Sequence, residues 1–170
     1  MSRAQCCVAY ENNDIFRSMK HVSGRSGRRA LTKEQLLSLP TEKVRALSLE
    51  HHMALATVRS GHGSHDQVVG LLRVIYMAFY LRGETVAGID ADLYRQAEMA
   101  LDACIARAER GEKWLLLDRE AVAIERVLVA HDAQLAAVPM YRYVSAWERL
   151  ERFIVDTKQS RSPIPVSEAA

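Results

Sequence analysis

Residues 68–81 constrain this chain more than any other stretch. They carry Val68, Val69, Leu71, Leu72, Val74, Ile75, Tyr76, Met77, Phe79, Tyr80 and Leu81, broken only by Gly70, Arg73 and Ala78. The preceding Ser64-His65-Asp66-Gln67 reads as a capping box, in which hydroxyl and amide side chains satisfy free backbone groups of a first helical turn. A helix opened in this way and apolar on every side must be covered by other elements. The stretch is too short to span a bilayer. It predicts the central helix of an all-α domain with no membrane partner.

Helix signals surround it. Thr32-Lys33-Glu34-Gln35 is another capping box, opening a short helix that stops before Pro40. Thr41 reads as the cap of a longer helix to about Ser60, with Gly61 as its left-handed terminator and Val44, Leu47, His51, Ala54, Leu55 and Val58 along one face. Gly83 is read as the end of the central helix. Asp90 to Arg110 follows, with Leu93, Ala97, Ala100, Leu101, Cys104 and Ala108 inward. Asp118 to Ala137 presents Ala121, Ile124, Leu128, His131 and Leu135, and after Pro139 a final helix points Tyr143, Trp147, Leu150 and Ile154 inward. The fold class expected is all-α, a single helical bundle or orthogonal array of five to six helices, with a disordered N-terminal arm and C-terminal tail. Residues 1–30 are the flexible basic arm, 31–157 the helical domain and 158–170 the disordered tail.

Net charge is only +2, but it is unevenly placed. Residues 1–33 hold seven bases against Glu11 and Asp14, or +5, which leaves −3 for the remainder. Arg17, Lys20, Arg25, Arg28 and Arg29, in a Gly/Ser context, suit salt-sensitive contacts with nucleic-acid phosphates or an acidic partner; the alternative is a solvated leader. Met19 is a second plausible start codon beside Met1. Cys6, Cys7 and Cys104 fit no disulfide framework, and no secretory signal is visible at Met1, so a reducing cytoplasmic setting is expected.

Catalytic motifs are missing. The sequence has no Gly-x-Ser-x-Gly, phosphate-binding loop, dinucleotide fingerprint or His-Glu-x-x-His. No Glu stands three residues before a His, as di-iron bundles require. Nothing calls for a cofactor or assigns a catalytic residue. The histidines offer one alternative, a metal or small-molecule site built from His51, His62, His65, Asp66 and His131. Against it, His51 and His131 read as hydrogen-bonded core imidazoles and His62 and His65 as turn residues. Cys104 lies on an apolar face and reads as core. Arg142, Arg149 and Arg152 on the last helix suggest a recognition helix, offset by Glu148 and Glu151. A second apolar stripe of Leu49, Met53 and Ala56, with Tyr141 and Phe153 off the main face of the last helix, suggests a homodimer or protein partner.

The segments Leu31-Thr32-Lys33-Glu34-Gln35-Leu36-Leu37, Leu49-Glu50-His51-His52-Met53-Ala54-Leu55-Ala56 and Arg59-Ser60-Gly61-His62-Gly63 resemble short uncharacterised all-helical proteobacterial proteins, some labelled Fis-like transcriptional regulators. The resemblance covers 31–157 and implies regulation by DNA binding, with no catalytic residues to carry over. The chain departs from a Fis pattern in lacking a small, strongly basic C-terminal helix-turn-helix. Together these readings give a non-enzymatic helical binding protein, with a histidine-based ligand-binding bundle as the alternative.

Overall fold

A computed structural model describes residues 31–84, 90–156 and 162–165. The arm residues Arg17, Lys20, Arg25, Arg28 and Arg29 lie outside the described residues, as do Cys6 and Cys7. Six helices follow in order: α1 Lys33–Leu36, α2 Thr41–Arg59, α3 His65–Leu81, α4 Ala91–Glu109, α5 Asp118–Ala137 and α6 Met140–Val155. No strand occurs among the described residues, so the all-α expectation is met.

Both capping boxes form. Thr32 Oγ1 accepts from the Gln35 amide while Gln35 Oε1 accepts from the Thr32 amide, and Ser64 and Gln67 do the same at the head of α3. The start of α2 differs from expectation. Thr41 is its first helical residue, and Pro40 at φ −56° is the cap, with no side-chain hydrogen bond. The proline ring presets that φ, so no hydroxyl is needed to turn the chain into the helix. Gly61 ends α2 at φ +75°, as expected. At the end of α3 the chain leaves the helix at Leu81, and Arg82 rather than Gly83 is the cap residue.

The helix α3 is central. It packs against α2, α4, α5 and α6, and nearly all of its side chains from Val68 to Leu81 are buried. Each large apolar side chain so placed contributes about 1.5–3 kcal/mol, and this sum offsets the entropy of ordering the chain. The remaining helices bury one stripe each: Leu47, Leu55 and Val58 from α2, Leu93, Ala97, Leu101 and Cys104 from α4, and Ile124, Leu128 and Leu135 from α5.

Two features tie chain ends to this core. The α1–α2 corner meets the α5–α6 corner, where Ser38 pairs with Pro139 in an isolated bridge and the Met140 amide donates to Leu37 O at 2.8 Å. The second feature corrects an expectation. Within the stretch expected to be a disordered tail, residues 162–165 are described, and Ile164 is only 1% exposed. Its carbonyl accepts a long hydrogen bond from Arg95 Nη1 at 3.5 Å, and its amide donates to Ser162 Oγ at 3.0 Å. The flanking prolines read as tail by composition, but an isoleucine that reaches the core gains about 1.5–3 kcal/mol by burial, which offsets the entropy of ordering its segment.

Candidate functional site

The site grows from one face of α2. Lys43, Leu47, Glu50, His51, Ala54 and Thr57 recur at helical spacing and line a cavity of about 470 Å³. Gln67, Gly70, Arg73, Val74 and Met77 of α3 form the facing wall, while His131 of α5 and Tyr143 and Trp147 of α6 close it. Asp66 contributes at the α3 end. The volume falls within the range of about 300–1,000 Å³ usual for small-molecule sites.

Gly70 gives this wall its shape. It stands inside α3, where glycine costs about 1 kcal/mol relative to alanine, yet a Cβ built on it would meet nothing within 4 Å. The open space beside it is the cavity it lines.

His51 and His131 meet across the α2–α5 seam, with ring centroids 5.7 Å apart and planes tilted by 32°. Burial pushes the His51 imidazole down to about 3, with the neighbouring His131 adding to the effect and Asp132 opposing it. Burial likewise lowers His131, against a raising hydrogen bond from Gln134. Both rings are therefore neutral at pH 7.

The tautomer of His131 follows from its neighbours. Gln134 Nε2 donates to Ala78 O at 3.0 Å, because a backbone carbonyl can only accept. Gln134 Oε1 then faces His131 Nδ1 at 3.0 Å, so Nδ1 carries the proton and Nε2 is the ring's acceptor. His51 is anchored less completely. Its Nδ1 is buried and has no hydrogen-bond partner among the described residues. That atom has almost no accessible surface, so its missing bond is a cost of packing inside the fold and not an opening toward the cavity. Across the same seam His52 Nε2 lies 2.9 Å from Asp132 Oδ2, while Asp132 Oδ1 is another buried atom with no partner there.

The five residues of the histidine alternative do not converge. His51, His131 and Asp66 share the cavity wall, but His62 Nδ1 instead faces Ser60 Oγ at 3.3 Å. His65 lies beside Asp66 and edge-on to Trp114, ring centroids 6.0 Å apart. No group of three or more His, Cys, Asp or Glu among the described residues is placed to hold a metal ion. His62 and His65 thus stay at the α2–α3 turn, apart from the cavity wall that His51, Asp66 and His131 share.

Sequence reasoning found His51 and His131 through their position on core faces. It missed Gln134, whose signal was its place one turn after His131, and Glu50, Arg73 and Gly70. Cys104 is buried in the core as expected, and burial pushes its thiol up. Leu49 and Met53 are exposed at 64% and 57%, so the second stripe of α2 lies on the surface. No described helix is long and apolar enough to cross a membrane. No protein-family model matches the chain, and no characterised protein or solved structure shows significant similarity to it.

Proposed function

We propose that the helical domain is a binding protein for a small organic molecule held between α2, α3, α5 and α6. The cavity itself carries this reading, with the neutral imidazole of His51 among its lining side chains. A ligand polar group that hydrogen-bonds to a polar side chain of this wall gains about 0.5–1.5 kcal/mol per bond. The apolar parts of Leu47, Val74, Met77 and Trp147 suit a partly apolar or aromatic body. Gly70 supports the same reading, because a residue that costs helix stability keeps the space open.

Trp147 makes the test direct. Titration with phenol and with p-cresol, each a flat apolar body with one hydrogen-bond donor, is expected to change tryptophan fluorescence, excited at the red edge of the tryptophan band, saturably. Gly70→Phe fills the cavity and removes the change. Identical responses in the two proteins, or none in the unaltered chain with either probe or a broader set of small aromatics, count against the reading.

A second reading concerns the arm. The +5 charge of residues 1–33 favours contact with nucleic-acid phosphates, and the resemblance to short proteins labelled as regulators points the same way. Ligand binding in the domain and nucleic-acid contact by the arm are compatible in one regulatory protein. Fluorescence anisotropy with labelled DNA and RNA at two salt concentrations decides it. Binding by the full chain that falls steeply with salt, and is lost from a chain beginning at Ala30, supports the arm; absence of binding at low salt rejects it.

A further inference from the structure

The C-terminal ends of α3 and α6 and residues 162–165 line a second concavity of about 540 Å³. It shares no lining residue with the cavity described above. Arg82, Arg149 and Arg152 line it, and Asp156 is its one carboxylate, leaving a surplus of two positive charges.

These arginines differ from most others in the fold. Arg59, Arg95, Arg107, Arg110 and Arg142 each have a carboxylate within 3.5 Å. Arg82, Arg149 and Arg152 have no ion pair among the described residues. Two of them are nonetheless held in place. The Arg82 guanidinium sits 3.8 Å from the Phe79 ring centroid and donates from Nη1 to Phe79 O at 2.9 Å, and that of Arg149 lies 4.7 Å from the Tyr80 centroid. Stacking a guanidinium on a ring uses its face; Arg82 also spends an Nη1 donor on Phe79 O, while its other N–H groups and the edge of Arg149 remain for a two-pronged contact with phosphate or carboxylate.

We infer that this groove binds a phosphomonoester on an organic body, the chemistry of a mononucleotide. Three guanidiniums match a dianionic phosphate better than a singly charged carboxylate, since each fork takes two oxygens and the excess charge in the groove equals that of the ligand. The partly buried Tyr80 and Phe153, with Pro163 and Pro165 on the tail side, provide an apolar rim for the rest of the molecule. Volume supports a small ligand of this size. The rim also gives the buried Ile164 a second role, since its anchoring holds both prolines in the wall.

The test is calorimetric titration of the full chain with adenosine monophosphate, adenosine, inorganic phosphate and a single-stranded oligonucleotide. Adenosine monophosphate is expected to bind at least about tenfold more tightly than adenosine or inorganic phosphate. The double variant Arg149→Gln, Arg152→Gln is expected to weaken it by about tenfold or more without moving the thermal midpoint appreciably, since both side chains are exposed. Arg142→Gln, on the same helix but paired with Glu84 outside the groove, leaves it unchanged. Equal losses in the two variants mean general charge attraction and overturn the inference, as does unchanged binding in the double variant. Inorganic phosphate binding as tightly as the nucleotide removes the organic body from the proposal. Binding to the oligonucleotide alone assigns the groove to a strand and overturns the small-ligand class. None of these results depends on His51 or on the first cavity.

Discussion

His51 and His131 face each other at 5.7 Å between ring centroids, two neutral imidazoles from helices that are far apart in sequence. Burial depresses His51 to about 3, well below the value of about 6.5 for an unfolded histidine. Between those limits the unfolded chain binds a proton that the folded one refuses. Stability from this group is therefore complete above about pH 6.5 and declines as pH falls toward 3. Urea midpoints measured from pH 7 down to pH 4 should fall, and His51→Phe should flatten that acid limb. An unchanged slope in the variant would rule out His51 as its source.

Arg107 and Glu120 form a nearly buried fork between α4 and α5. Arg107 Nη1 donates to Glu120 Oε1 at 3.0 Å and Nη2 to Leu115 O at 2.8 Å, while Glu120 Oε2 accepts from the Leu117 amide at 2.9 Å. Burial raises the Glu120 carboxyl, but the Arg107 and Leu117 hydrogen bonds outweigh it and the net shift is downward. Stability from this carboxylate is present above the ordinary glutamate range and lost as pH falls through its lowered value. Glu120→Gln should cost about 2 kcal/mol at pH 7, and Arg107→Ala more, because it strands a carboxylate. Chemical denaturation from pH 7 downward checks both; a penalty for Glu120→Gln that stays undiminished once pH has fallen below the lowered value of this carboxyl contradicts the ionic account.

Two glycines should respond oppositely to alanine. A Cβ on Gly63 would lie 2.9 Å from Val58 Cγ2 and 3.0 Å from Trp114 O, and backbone cannot move aside cheaply. Gly63→Ala should destabilise by about 1–3 kcal/mol. Gly70→Ala should stabilise by about 0.5–1 kcal/mol, since it improves helix propensity and meets only open space. Thermal midpoints moving in the same direction would contradict the geometry at one of the two positions.

Ile164 should behave as a core residue. Ile164→Ala is expected to cost about 2–4 kcal/mol, whereas Pro165→Ala, at an exposed position, should change stability by less than about 0.5 kcal/mol. Denaturant midpoints for the pair separate a docked segment from a loose one, for which both effects would be negligible.

The helices were legible because their signals are local. A capping box involves residues three apart, and a buried stripe repeats every turn, so the starts of α1 and α3 and both ends of α5 could be read from the chain alone. Burial of Tyr94, Glu98 and Gln134 was not legible, because it depends on which helix lies opposite. Glu98 is buried with Tyr76 Oη donating to it at 2.8 Å, a pairing across helices that no periodicity encodes. The cavity beside Gly70 escaped for a related reason. Empty space belongs to the packing of several helices, and sequence shows only the missing side chain. Ile164 was hidden by its neighbours, since two flanking prolines look the same in a loose tail and in a docked one.

The clasp between the two corners carries a consequence for the order of assembly. The helix α1 buries none of its own residues, and its place depends on contacts such as Leu37 O to the Met140 amide. Those contacts join positions far apart in the chain, and closing so long a loop is favourable only after the intervening helices have already folded it short. The α1 corner is thus the last part of the domain to settle and the first to open. Amide exchange at Met140 would time that opening separately from the unfolding of α3, so one hydrogen bond serves as a built-in clock for fraying at this end of the molecule.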